Sequence, residues 1–325
     1  MGAYIARRVG YVVVVLALIL VIVSLLLRMI PGDPVDVIAA SNPGMSVADK
    51  ALLRQELGLS GSAFDQIGRY VGGLAHGDLG QSLQFRIPVS IIIMQKLPGT
   101  LELTVSGLIV AILLAFPIGL ISAIRRDRLP DYAGSVFVIL GFSLPSFLLG
   151  VLLILVFAVE LGLLPSSGRD VSLFAAIGDA NLGEIGAALR FLALPALSLG
   201  IGLAAWSARM IRSSMLEALR QDYVRFAYAK GLPRHVVILK HALRNALIPV
   251  VTVLGLQLGY LLSGAFIVEN VFAWPGLGRT TVQAILFRDY PVVQGVVLVT
   301  AALFLTVNLG IDVLYAFIDP RIRLR

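Results

Sequence analysis

The chain has 325 residues, of which 58% are hydrophobic and only 14% charged, with a mean hydropathy of +0.93. That balance excludes an ordinary soluble domain and describes an integral membrane protein. The net charge of +7 does not point to nucleic acid, because the basic residues cluster beside apolar runs and form no solvated face with stacking aromatics, and the absence of cysteine removes disulfides, thiolate metal sites and cysteine nucleophiles.

A helix needs about 20 apolar residues to cross the hydrocarbon of a bilayer. Val9–Leu27 is the first such run, with Arg7 and Arg8 before it. Its apolar core is too long for a secretory leader, and Arg28-Met29-Ile30-Pro31 offers no small-residue cleavage site, so it reads as a retained anchor. Residues Pro31–Gly99 form a long segment with helical patterns of its own. Ser46–Leu57 reads as a short helix capped by Ser46 with Asp49 three residues on. Ile87–Leu97 is apolar and suits the membrane interface or the side of the bundle. Leu103–Ile124 and Tyr132–Val159 are the second and third spans, and Leu161–Arg190 is loop-like. Phe191–Ala208 is the fourth span and the weakest, being short and holding Pro195. Residues 209–245 are polar; Ala246–Val268 is the fifth span. Val271–Tyr290 carries a Trp274-Pro275-Gly276 turn, and Pro291–Ile311 is the sixth span. Pro117, Pro145, Pro195 and Pro249 are tolerable inside spans because neighbouring helices satisfy the freed carbonyls. The expected fold is all-α and polytopic, with six transmembrane helices in three parts: 1–30, 31–99 and a core of 100–325.

Orientation follows from Lys and Arg. Arg7 and Arg8, then Arg125, Arg126 and Arg128, then Arg209, Arg212, Arg220, Arg225, Lys230, Arg234, Lys240 and Arg244, and finally Arg321, Arg323 and Arg325 hold most of the basic residues. The positive-inside rule places these segments, and so both termini, in the cytoplasm. Pro31–Gly99, Leu161–Arg190 and Val271–Tyr290 then face outward.

The stretch from Asp222 to Pro249 is basic and polar, yet it has a helical rhythm. Val224, Ala227, Tyr228 and Gly231 recur at helical spacing, and Gly231 with Pro233 ends that helix. Val236, Leu239, Leu243 and Leu247 then line one face of a second helix, with Lys240 and Arg244 on another. Tyr223, Phe226 and Lys230 share a face that could enter a pocket, while Ala227, Ala229 and Gly231 permit close approach of another backbone. On these grounds alone, an anionic lipid surface and a cytosolic protein partner are both open.

Glu217-Ala218-Leu219, Asp222-Tyr223-Val224-Arg225, Ala229-Lys230-Gly231-Leu232-Pro233 and His241-Ala242-Leu243-Arg244-Asn245-Ala246-Leu247-Ile248-Pro249 resemble the cytoplasmic "EAA" loop of binding-protein-dependent ABC importer permeases. Across nearly the whole chain the likeness is closest to the dipeptide, oligopeptide and nickel branch, and to the first permease of its pair. Pro31-Gly32-Asp33-Pro34, Pro98-Gly99-Thr100-Leu101-Glu102-Leu103, Glu269-Asn270-Val271-Phe272-Ala273-Trp274-Pro275-Gly276-Leu277-Gly278, Arg288-Asp289-Tyr290-Pro291 and Asp319-Pro320-Arg321-Ile322-Arg323 carry it. Phe226 and Tyr228 depart from the family, which more often has smaller or polar residues there. The resemblance implies a type I ABC importer-like fold in a bacterial or archaeal plasma membrane. It implies that Glu217, Ala218, Asp222, Tyr223, Arg225, Ala227, Lys230, Gly231 and Pro233 dock on a separate ATPase subunit. It further implies a second homologous permease subunit, two ATPase subunits that bind ATP and Mg, and an extracytoplasmic binding protein, with short peptides as cargo and nickel or oligosaccharides as the alternatives.

No cofactor is expected in the chain itself. It has no Gly-Lys-Ser or Gly-Lys-Thr for a phosphate loop, no H-E-x-x-H and no G-x-S-x-G. An ion-coupled secondary transporter would need paired ionisable residues near mid-bilayer, and an intramembrane enzyme would need catalytic residues within spans; neither pattern occurs. His235 and His241 fall in the docking segment. Glu102 and Asp312 stand at span edges, where structural pairing competes with a functional role, and Asn308 suits a hydrogen bond between helices. Gly255, Gly259 and Ser263 recur every fourth residue, a stripe that permits close crossing either within the subunit or against a second permease at the translocation pathway.

Overall fold

The computed structural model describes residues 2–29, 32–40, 44–57 and 59–318, with some helical side chains, those of Ser263 and Asp312 among them, outside the description. The Asp319–Arg323 motif and Pro31 also lie outside it. The described residues form helices joined by turns and loops, with one isolated bridge between Gln81 and Pro88. In chain order they are α1 (Gly2–Met29), α2 (Pro34–Ala40), α3 (Val47–Glu56), α4 (Ala63–Ala75), α5 (Val89–Ile124), α6 (Leu129–Ser143), α7 (Ser146–Leu153), α8 (Leu173–Gly178), α9 (Leu182–Leu219), α10 (Asp222–Ala229), α11 (Arg234–Val236), α12 (Leu243–Val271), α13 (Leu277–Leu286) and α14 (Tyr290–Ile318).

Each of the six expected spans falls on helix, but their boundaries change. Among the described residues, four stretches are long and apolar enough to cross a membrane: Gly10–Met29, Val89–Ile124, Leu182–Leu219 and Tyr290–Ile311. The third expected span is not one helix. It is a pair, Leu129–Ser143 and Ser146–Glu160, bent by 106°, which would make a fifth crossing. The bend has a local cause. Pro145 excludes the α conformation at the residue before it, and Leu144 is accordingly extended at φ −96° and ψ 117°. Beyond the bend, α7 runs into a π-helical turn at Ile154–Glu160. Pro117, Pro195 and Pro249 sit inside unbroken helices. The fifth expected span lies within α12, which is continuous across it.

Two long helices also absorb segments that looked separate in the sequence. The apolar stretch at Ile87–Leu97 is no isolated interfacial piece; from Val89 it is the first part of α5. The loop expected at Leu161–Arg190 contains α8, and α9 begins within it at Leu182. At its other end α9 continues to Leu219, through the first eleven residues of the polar region expected to begin at Arg209. Val271–Tyr290 holds the ten-residue α13 after its turn. Amphipathic helix shorter than a span leaves little signature beside such apolar neighbours.

The chain divides into two compact units. The first comprises the described residues of 1–98 with Pro275–Leu309. Its core is Leu27, Val89, Ile92, Ile93, Leu277, Ala284, Val292, Val293 and Val296. Serine caps start α3 and α4: Ser46 and Ser62 each accept from the N–H of an aspartate three residues on, and Asp49 and Asp65 accept in return, as the sequence indicated for the first. Those bonds hold both carboxyls below the usual carboxylate range. Asp289 accepts from the Ser82 hydroxyl (2.5 Å) and from the N–H groups of Leu83 (3.0 Å) and Gln84 (3.3 Å). The Asn308 Oδ1 is buried and accepts no hydrogen bond among the described residues.

The second unit comprises Gly99–Trp274 and the described residues from Gly310 onward. Leu103, Leu192, Leu194, Ile211, Met215, Phe272 and Trp274 lie at the centre of its core. Backbones approach closely at glycines: a Cβ on Gly200 would stand 2.6 Å from the Gly107 carbonyl oxygen, and one on Gly119 2.6 Å from that of Ala208. Glu102 is fully buried and paired, as structural pairing requires: it holds Arg169 at 2.7 Å and accepts from the Ser172 hydroxyl (2.5 Å) and the Phe174 N–H (3.1 Å). Arg169 stacks on Trp274 at 5.8 Å, and the Trp274 indole donates to the Gly99 carbonyl at 2.8 Å. Asp131 is gripped by both Nε (2.7 Å) and Nη2 (2.8 Å) of Arg212, joining α6 to α9.

Candidate functional site

The docking segment folds as helix, break, helix. It begins where α9 ends, with Met215 and Ala218 buried and Glu217 exposed. Gln221 is extended (φ −75°, ψ 151°), which turns the chain into α10 with Asp222 in its first turn. An acid there is favoured by the positive end of the helix dipole. Val224 (1% exposed) and Ala227 (5%) face the core of the second unit. Asp222, Tyr223, Arg225, Phe226, Tyr228 and Lys230 are all exposed. The one ion pair on this face, Arg225 with Asp222, is loose at 3.6 Å and fully solvated in character.

The break is a glycine stop. Gly231 has φ +77°, a conformation that costs L-residues energy, and its N–H donates to the Tyr228 carbonyl at 2.9 Å. Pro233 then opens α11, which continues through a π-helical turn at Val237–Ala242 into α12. That turn corrects the second amphipathic face. Val237, Ile238, Ala242 and Ala246 are buried, whereas Leu239, expected inside, is 54% exposed. A π turn carries an extra residue per turn and so rotates the face by about one position. Leu243 and Leu247 still pack against the core, and Lys240 and Arg244 are exposed as expected.

Of the nine expected docking residues, Ala218 and Ala227 anchor the elbow from below. The other seven, Glu217, Asp222, Tyr223, Arg225, Lys230, Gly231 and Pro233, are exposed on it. The elbow is therefore a braced knob with three exposed aromatics. It offers shape and apolar contact.

A cavity of about 420 Å³ lies in the same unit, beside the bend between α6 and α7. Phe142, Pro145, Ser146, Gly202, Trp206 and Gln257 are among the residues lining it, and none of its lining side chains is ionisable. Its size falls in the range of small-molecule sites, about 300–1,000 Å³. It can hold a solute by shape and neutral hydrogen bonds. Of the glycine stripe, Gly255 is occupied by packing within the chain: a Cβ there would stand 2.9 Å from Ile311 Cγ2. Gly259 is buried, and the Ser263 side chain lies outside the described residues. The cavity residue on α12 is instead Gln257. The sequence held a clue to it, since Gln257 is the strongest hydrogen-bonding side chain in the Ala246–Val268 run.

Residues 115–324 match the family described as the binding-protein-dependent transport system inner membrane component. The chain belongs to that family. It is 43% identical to the dipeptide transport system permease protein DppB of Escherichia coli (strain K12), over 98% of both chains. It is 42% identical to the glutathione transport system permease protein GsiC of Salmonella paratyphi A (strain ATCC 9150 / SARB42), again over 98% of both. Among solved structures it is similar to a chain of the methionine ABC transporter MetNI in an inward-facing conformation, with a TM-score of 0.55 and 19% identity over 71% of this chain and 97% of that one. The fold is thus that of an ABC importer permease, and the chain is a membrane-embedded permease subunit of such an importer.

Proposed function

We propose that this permease carries short peptides into the cell, powered by ATPase subunits that bind the elbow formed by α9, α10 and α11. The exposed aromatic face of α10, braced on Val224 and Ala227, carries the reading: it stands clear of the core, and it bears Tyr223 and Phe226 where a partner groove would cover them. The chain has no phosphate loop of its own, so nucleotide hydrolysis falls to the partners, and movement of the ATPase pair transmitted through the elbow would switch the pathway between inward- and outward-facing states. A second, homologous permease completes the pathway, and the cavity beside Pro145, Trp206 and Gln257 is this chain's part of it. Six spans with both termini in the cytoplasm put residues 31–99 outside, where they receive the loaded binding protein.

The peptide cargo draws support from the two relatives, whose names specify dipeptide and glutathione. It is tested by reconstituting the permease pair with its ATPases and binding protein in liposomes and measuring ATP-dependent entry of a labelled dipeptide, glutathione, Ni²⁺ and an oligosaccharide. Peptide entry alone is expected. Entry of nickel or sugar without peptide would refute the cargo.

A further inference from the structure

The first unit contains a second cavity, of about 200 Å³, at the far end of α1. Arg28, Arg69, Tyr70, Tyr290, Gln66 and Gln294 supply its polar lining, and no carboxylate lines it. Arg28 stands in the last turn of α1. Its Nη1 donates to the Ser24 carbonyl (2.6 Å) and its Nη2 to Gln66 Oε1 (2.9 Å), but its Nε is buried with no hydrogen-bond partner. The Tyr70 hydroxyl is likewise buried and unpartnered. Asp33, a candidate counter-charge from the start of α2, is already held by Arg54 at 2.5 Å and by the Val35 N–H at 2.9 Å. Two orphan donors and a partly buried guanidinium therefore meet at one hollow. Each orphan is costly, and a partly buried cation without a counter-charge adds to that cost. A trapped water would answer the donors and leave the charge.

We infer that this cavity is an oxyanion site, in which Arg28 and Tyr70 together bind a phosphate or carboxylate group. A guanidinium fork suits two oxygens of one planar or tetrahedral anion, and a phenol supplies a third bond at its side. The anion has two possible sources: the headgroup of an acidic lipid, or a free small solute. Leu26 and Met29, exposed on α1 beside Arg28, supply the apolar flank that a lipid would use. On the orientation proposed above, that lipid belongs to the outer leaflet.

The experiment uses the full chain, purified in detergent, and needs neither ATPase nor cargo, so its failure is distinct from failure of the transport reading. Inorganic phosphate is titrated in a thermal-shift assay against chloride at equal ionic strength. In parallel, native mass spectrometry counts retained phosphatidylglycerol from micelles doped with it and with phosphatidylcholine. Tyr70→Phe removes a hydroxyl that makes no bond in the structure, so the fold is kept; it is expected to weaken anion binding about tenfold. Arg28→Gln is expected to abolish it. A phosphate-specific shift assigns a free oxyanion; selective retention of phosphatidylglycerol assigns the headgroup. If wild type shows neither, or if both variants behave as wild type in both assays, the inference is wrong.

Discussion

Phe226→Ala separates docking from folding more sharply than any other change on the elbow. Phe226 is 68% exposed, so only about a third of its side chain is covered in this chain. Full burial of a phenylalanine is worth about 1.5–3 kcal/mol, and a third of that is at most about 1 kcal/mol of stability. Val224, two positions earlier, is 1% exposed and sits in the core. Truncating it to alanine leaves a cavity, at a cost of about 2 kcal/mol by comparison with other core deletions. At an interface the ranking reverses. A central aromatic anchor typically costs about 2 kcal/mol or more when removed, or about 30-fold in affinity. The assays are thermal melting of the purified permease, equilibrium binding of its ATPase, and ATP-driven uptake. Phe226→Ala should leave melting within a degree or two of wild type, weaken ATPase binding about 30-fold and reduce uptake accordingly, whereas Val224→Ala should lower melting first. Refutation would be a Phe226→Ala permease that binds its ATPase normally, or one that melts as early as Val224→Ala.

Gly231→Val forces a branched side chain into φ +77°, at a cost of about 1–2 kcal/mol or more, with nothing within 4 Å to clash; membrane insertion should persist while uptake falls, as read from blotting and transport side by side. Asp131→Asn breaks a carboxylate pair whose Arg212 partner remains partly buried, and should destabilise by about 3 kcal/mol in a denaturant titration; adding Arg212→Met should recover most of the loss, because it removes the unpaired charge. Asp49 and Asp65 have depressed carboxyl pKa values through their serine caps, so the capping contribution is present above the unfolded carboxylate range and is lost as pH falls through the folded values. Amide protection in the first turns of α3 and α4, taken relative to the intrinsic exchange rate at each pH, should therefore hold at pH 5 and fall only below about pH 4.

Much of this was legible in the sequence, and the misses share a cause. Length and apolar composition placed every expected span on helix, and four stretches, or five with the bent pair, are long and apolar enough to cross a bilayer, because crossing imposes a strong, simple pattern. The elbow was legible because Gly231 and Pro233 are explicit stop signals and Val224 with Ala227 keeps a helical period. What periodicity could not register was deviation from the ideal period. The π turn at Val237–Ala242 moved the buried face off Leu239, and Pro145, which looked tolerable inside a span, bent one by 106°. Whether a membrane proline is absorbed or breaks its helix depends on neighbours that satisfy the freed backbone, and sequence spacing does not hold that information. The same holds for Gly255: the stripe promised a close crossing, but only the fold showed that the approaching residue is Ile311 of the same chain.

If an ATPase grips this permease on the exposed face of α10, the chain's lack of cysteine lets a single introduced thiol report it. Phe226→Cys would be its single thiol. With the ATPase subunits bound and a short thiol-to-amine reagent added, that thiol should cross-link to an ATPase in high yield, while Phe64→Cys, exposed on α4 of the other unit, should give none. An assembled, transport-competent complex in which position 226 never cross-links to an ATPase would contradict the claim.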